Sequence, residues 1–105
     1  MRPALASDEF VSLWLTQHPR WRRVDDRLVA TYALSYEQSI AVLTRTLETV
    51  NELDHHPLCQ VGYDEMTVTL WTHDRGGITE LDMSLAHVWD DVVGVIAPSL
   101  RERSH

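Results

Sequence analysis

A chain of 105 residues with 44% hydrophobic and 24% charged positions fits one small domain spanning 1–105, with a core over about 5–97 and a short C-terminal tail. The formal charge of −7, with no basic cluster to offset it, argues against a nucleic-acid partner, and no stretch approaches the roughly 20 apolar residues of a membrane helix. The start, MRPALASDEF, has no continuous apolar segment of the secretory kind, so the expected location is the cytoplasm. The single Cys59 excludes an internal disulfide and a multi-cysteine zinc site, and reads as a small core residue. So small a core leaves a flat apolar face to be shared between subunits, and a homo-oligomer, dimer or tetramer, is expected.

The first periodic segment runs from Ser7, a candidate N-cap, to Gln17, with Asp8 and Glu9 at the positive end of the helix dipole. Phe10, Leu13 and Trp14 form its apolar stripe, and Pro19 stops it. Trp21 to Val24 and Leu28 to Leu34, joined by Asp25-Asp26-Arg27, read as a hairpin. Ser35 and Gln38 make a capping box for the longest helix, whose apolar positions are Tyr36, Ile40, Leu43, Leu47 and Val50. It ends near Asp54, and Pro57 pushes His56 to an extended conformation. A second hairpin follows, Cys59 to Tyr63 and Met66 to Thr72 around Asp64-Glu65. Gly76-Gly77 form a loop, and Thr79 with Asp82 caps a last helix carrying Leu85, Val88, Trp89, Val92 and Ile96, stopped by Pro98. Residues 101–105 read as a frayed tail. The order α-β-β-α-β-β-α predicts an α+β fold, a four-stranded antiparallel sheet with three helices packed on one face.

Between His55 and Asp82 lie the residues that carry chemistry. His55-His56-Pro57 is followed by Tyr63 seven residues after His56, His73 ten further on, and Asp82 nine beyond that. This spacing resembles the pterin-4a-carbinolamine dehydratase family (4a-hydroxytetrahydrobiopterin dehydratase). The resemblance covers roughly Leu5 to Ile96 and includes Trp21, the Leu34-Ser35-Tyr36 entry to the long helix and the helix after Asp82. It implies the same α+β architecture and an enzyme, a hydro-lyase, that expels water from a 4a-hydroxytetrahydropterin to give a quinonoid dihydropterin, as in tetrahydrobiopterin recycling. It implies no metal and no cofactor, a pterin substrate, and a functional link to an aromatic amino acid hydroxylase.

Two protons move in such a reaction, and an imidazole with an unperturbed pKa of about 6.5 can give or take either. By resemblance His55 and His73 are the proton-transfer pair, with His56 contacting the substrate beside the 4a position. Asp82 is expected to hold the His73 ring by a charge-assisted hydrogen bond while also capping its helix. Pro57 fixes the divergence of the two adjacent histidines. Tyr63 is read as a strand residue packing under the pocket, and Trp21 and Trp71 as core or interface residues by default, on whose indoles a flat pterin could also stack. Gly76-Gly77 is a turn whose amides could also meet the pterin. The histidines outside the motif, His18 and His87, are read as surface residues, and His105 as part of the tail.

The chain departs from the family in one place. Members commonly carry a charged residue four positions before the first histidine, where this chain has Asn51, with Glu52 next to it. Without that charge His55 is expected to titrate nearer its ordinary value. Two rival readings stand beside the enzyme. One is a binding or regulatory module on the same fold, of the dimerisation-cofactor kind, using the seam of the long helix. The other is a metal site built from His55, His56, His73 and Asp82, which adjacent imidazoles disfavour because they rarely converge on one ion.

Overall fold

The computed structural model describes residues 3–102. The elements are α1 (Asp8–Gln17), β1 (Trp21–Val24), β2 (Arg27–Tyr32), α2 (Tyr36–Leu53), β3 (Leu58–Val61), β4 (Met66–Leu70), a 3-10 turn (His73–Arg75), α3 (Glu80–Ile96) and the short α4 (Pro98–Glu102). The predicted caps are all present. Ser7 accepts from the Phe10 N–H, and Ser35 with Gln38 and Thr79 with Asp82 form complete capping boxes. Pro98 does not simply stop the chain. It opens α4 at the first helical position, where its missing N–H costs nothing, and Leu100 is buried behind it. The predicted tail is thus helical at 101–102, and His105 lies outside the described residues.

The four strands form one antiparallel sheet in the order β1-β2-β4-β3. Alternation puts Leu28, Ala30, Tyr32, Met66, Val68 and Leu70 on one face, and all six are fully buried. One apolar cluster joins them to Val11 of α1, Val42 and Val50 of α2, and Leu85, Trp89 and Val93 of α3. The three main helices therefore cover a single face of an α+β sheet. On the opposite face Thr31 and Thr67 share a hydroxyl hydrogen bond of 3.2 Å across β2 and β4. No helix among the described residues is long and apolar enough to cross a membrane.

Two helices present a different face from the one predicted. In α2 the buried row is Ser39, Val42, Thr46 and Val50, while Tyr36, Ile40 and Leu47 are 55%, 47% and 55% exposed. The reason is that Ser39 and Thr46 return their hydroxyls to their own helix, to Ser35 O at 3.0 Å and Val42 O at 2.9 Å, and so can be buried without another partner. A count of apolar residues alone passes over them and selects the neighbouring face. In α1 the same happens on a smaller scale: Val11 is buried, with Trp14 and Leu15 packed against the core, and Phe10 and Leu13 are exposed.

Candidate active site

The β3–β4 hairpin sets the site. Its strands place residues 55–57 and 71–73 at one end of the sheet and the connection 62–65 at the other. The approach to β3 is turned by Asp54, whose left-handed φ of 48° ends α2 and lets the His55 N–H reach Val50 O at 3.2 Å. A short polar side chain tolerates that conformation. The helix thus stops three residues ahead of Pro57, and its end is decided at Asp54.

His55 is 7% exposed, and its Nε2 lies 2.6 Å from Oδ1 of Asp82, which is fully buried in the first turn of α3. The other carboxylate oxygen accepts from the Thr72 hydroxyl and the Thr79 N–H, both at 2.9 Å. Asp82 is therefore the helix cap the sequence predicts, but the imidazole it holds is His55 and not His73. An acceptor-only carboxylate on Nε2 requires the proton there, which leaves Nδ1 of His55 as the nitrogen able to gain or lose a proton.

His73 opens the 3-10 turn, exposed, with its ring 4.4 Å from that of Trp71 and tilted by 42°. On Trp71 also rests the Arg27 guanidinium, 4.0 Å from the ring centroid. His56 is exposed, and its Nε2 donates to Asn51 Oδ1 at 3.2 Å. The Asn51 side chain is therefore hydrogen-bonded to His56, where the sequence spacing had paired position 51 with His55. Pro57 is half-buried between His56 and the start of β3.

Gly76 has a φ of 68°, which suits glycine, and a Cβ on Gly77 would come 2.9 Å from Leu5 Cδ2. Their amides are both directed at the Thr72 carbonyl, at 2.9 and 3.4 Å, so they close the turn on itself.

These elements are those of known proteins. The chain matches the family described as Pterin 4 alpha carbinolamine dehydratase across residues 3–92. It belongs to that family. A candidate pterin-4-alpha-carbinolamine dehydratase of Picosynechococcus is 31% identical over 87 residues, covering 82% of this chain and 95% of the relative. One of the same description from Nocardia farcinica is 34% identical over 93 residues, covering 88% and 98%. The fold is shared with a crystal structure of a transcriptional coactivator/pterin dehydratase from Brucella melitensis, at a TM-score of 0.80 and 24% identity, over 86% of this chain and 99% of that one.

Tyr63 departs from its expected place in the strand, and Trp21 keeps its default reading as a core residue. Tyr63 is 90% exposed in the connection between β3 and β4, at the far end of the hairpin from His73, and does not pack under a pocket within this chain. The strand ends at Val61, two residues earlier than the alternation suggests, because Gly62 N–H closes the turn on Glu65 O at 2.8 Å. Trp21 is 3% exposed, its Nε1 donates to both oxygens of Asp90 at 3.2 Å, and its ring meets Tyr32 edge-on, so no indole face is open to a ligand. The metal reading also fails on geometry. His55, His56 and His73 have separate partners, and among the described residues no group of three His, Cys, Asp or Glu converges on one point. Of the other histidines, His18 stacks on Trp14 with centroids 4.0 Å apart, its Nδ1 2.8 Å from Trp14 O, and exposed His87 pairs with Asp91 at 3.3 Å.

Sequence reasoning passed over Thr72, the residue before His73, which is 1% exposed and donates its hydroxyl to Asp82. A threonine at the end of a strand is too common to stand out. Its adjacency to His73, seven residues before the capping threonine, is the signal that was available.

Proposed function

We propose that this chain is a dehydratase of 4a-hydroxytetrahydropterins, acting by histidine general acid–base catalysis without a cofactor and returning a quinonoid dihydropterin to tetrahydropterin recycling. Family membership supports the reaction class. The observation that carries the mechanism is the 2.6 Å bond between His55 Nε2 and Asp82, which leaves Nδ1 as the reactive nitrogen and puts a negative charge behind the ring. In this reading His55 Nδ1 removes the proton from the ring nitrogen beside C4a, and Asp82 stabilises the imidazolium that forms. The C4a–O bond breaks as His73, in its protonated form, gives a proton to the departing hydroxyl. One proton is taken and one supplied, so the products are water and the quinonoid pterin. His56, held by Asn51, contacts the substrate, and the exposed part of Trp71 offers a surface for the flat ring.

The test is dehydration of a 4a-hydroxytetrahydropterin in stopped flow. His55→Ala and His73→Ala should each slow it by about 10²-fold or more, and His56→Ala should chiefly raise KM. If all three variants remain folded with near wild-type rates, the mechanism is wrong.

We also propose that the working form is a homo-oligomer. Tyr36, Ile40 and Leu47 expose an apolar row along α2, with Leu43 beside it packed on the core. Sedimentation at micromolar concentration should give a mass that is a multiple of 12.1 kDa, and a clean monomer would remove this claim. The same row favours the binding-module reading as an alternative. A folded protein that leaves the carbinolamine at its spontaneous dehydration rate would favour that alternative.

A further inference from the structure

Thr72 connects the supports of both proton-transfer histidines. Its backbone is clamped at the base of the turn that carries His73, with its N–H donating to Gly77 O at 2.8 Å and its carbonyl accepting from Gly76 N–H at 2.9 Å. Its hydroxyl lies 2.9 Å from Asp82 Oδ2 and 2.8 Å from Thr79 Oγ1. Each hydroxyl has a single proton. A carboxylate oxygen can only accept, so the Thr72 proton goes to Asp82 and the Thr79 hydroxyl must donate to Thr72 Oγ1. Thr79 Oγ1 accepts in turn from Leu81 N–H at 3.2 Å. The result is a chain of one direction, from the first turn of α3 through Thr79 and Thr72 to the carboxylate that holds His55.

Two donors on Oδ2, the Thr72 hydroxyl and the Thr79 N–H, fix the plane of the Asp82 carboxylate and leave Oδ1 to His55. Without the hydroxyl, Oδ2 would keep one donor in a fully buried place, and the carboxylate could turn to recover its hydrogen bonding elsewhere. The His55 ring would then lose both its orientation and its single tautomer. The geometry points to Thr72 as a positioning residue that acts through Asp82 to hold His55 with its proton on Nε2, an inference that rests on the dehydratase reading of His55.

Thr72→Val keeps the shape and removes the hydroxyl, whereas Thr72→Ser keeps the hydroxyl. Thr72→Val should lower kcat by about 10-fold or more, the scale of a lost hydrogen bond to a charged group, with KM within about two-fold. Thr72→Ser should recover most of the rate. In an Asp82→Asn background the Val substitution should cost little further, because the two groups act as one unit. If Thr72→Val fails to fold, Thr72→Cys, with its weak S–H donor, carries the same expectation. Ring-nitrogen NMR of His55 supplies a readout that does not need turnover. It should show one tautomer, protonated at Nε2, in the wild type and in Thr72→Ser, and a mixture in the variant without the hydroxyl. An unchanged His55 spectrum, an unchanged kcat, or an equal loss in the Asp82→Asn background would each overturn the role of Thr72. Absent turnover in the wild type would instead sink the dehydratase reading, while the NMR comparison would still decide whether Thr72 positions the ring.

Discussion

Asp82 and Asp90 lie about two turns apart on the same helix, and both point carboxylates inward, yet they do different work. Asp82 is fully buried at the N-terminal end of α3, where the Thr79 N–H, the Thr72 hydroxyl and the His55 imidazole all converge on it. Asp90 is half-buried in the middle of α3 and ties the sheet to the helix through Tyr32 OH at 2.7 Å and Trp21 Nε1 at 3.2 Å. Burial pushes the Asp90 carboxyl above its ordinary range, and the hydrogen bonds from Tyr32 and Trp21, with the charges of Arg20 and His18, pull it only part of the way back. Burial likewise drives the Tyr32 phenol upward, and the Asp90 charge adds to it. Asp90 also borders a cleft of about 230 Å³ with His18, Arg20 and Gly94. Residue type and helix are thus the same for the two aspartates. The difference lies in their partners, since Asp82 backs a titratable ring in the proposed catalytic site and Asp90 fastens two aromatic rings of the core.

The largest effect that separates them is on rate. Asp82→Asn replaces one acceptor with an amide that can hold His55 in the other tautomer, and dehydration should fall by about 10²-fold, whereas Asp90→Asn should leave kcat within about two-fold. An Asp82→Asn enzyme of unchanged rate would reduce Asp82 to a helix cap and erase the contrast. Stability should respond next. Asp90→Ala strands the Trp21 N–H and the Tyr32 hydroxyl in a buried place, and chemical denaturation should show a loss of about 1–3 kcal/mol. Tyr32→Phe removes one donor and leaves Asp90 on Trp21, so its cost should be smaller, about 1 kcal/mol.

The smallest effect is a dependence on pH. A carboxyl whose folded pKa is raised favours the fold while it is protonated, fully below the ordinary value of 3.8, and that contribution is lost as pH rises through the raised folded value. Asp90→Asn has no such loss. Its stability relative to wild type should therefore improve between acid and neutral pH, as followed by thermal denaturation at both. A difference that stays constant, or runs the other way, would mean that the Asp90 charge is fully compensated by its partners. Cys59 offers a control outside both regions. Burial raises its thiol to about 11, so alkylation at neutral pH should be slow in every variant that keeps the fold.

Local chemistry determined much of this protein. The caps at Ser7, Ser35 and Thr79, the Asp25-Asp26 turn and the alternation of Leu28 to Tyr32 and Met66 to Leu70 each depend on near neighbours, and the element order and the two hairpins followed from them, while the pairing of β2 with β4 came from the tertiary structure. The spacing of His55, His56, His73 and Asp82 likewise sufficed for the family. What the sequence did not decide were choices between alternatives of similar local merit. The buried face of α2 depended on Ser39 and Thr46 satisfying themselves within the helix, the exposure of Tyr63 on a strand that ends at Val61, and the hydrogen-bond partner of Trp21 on Asp90, distant in the chain. The partner of Asp82 was decided in the same way. His73 is nearer to it in sequence, but the left-handed turn at Asp54 directs His55 inward while the 3-10 turn leaves His73 exposed, so the bond forms with the imidazole that the packing delivers to the end of α3. Sequence separation limits which groups can meet, and only the tertiary structure brings two side chains within the 2.6 Å at which a carboxylate can fix a tautomer.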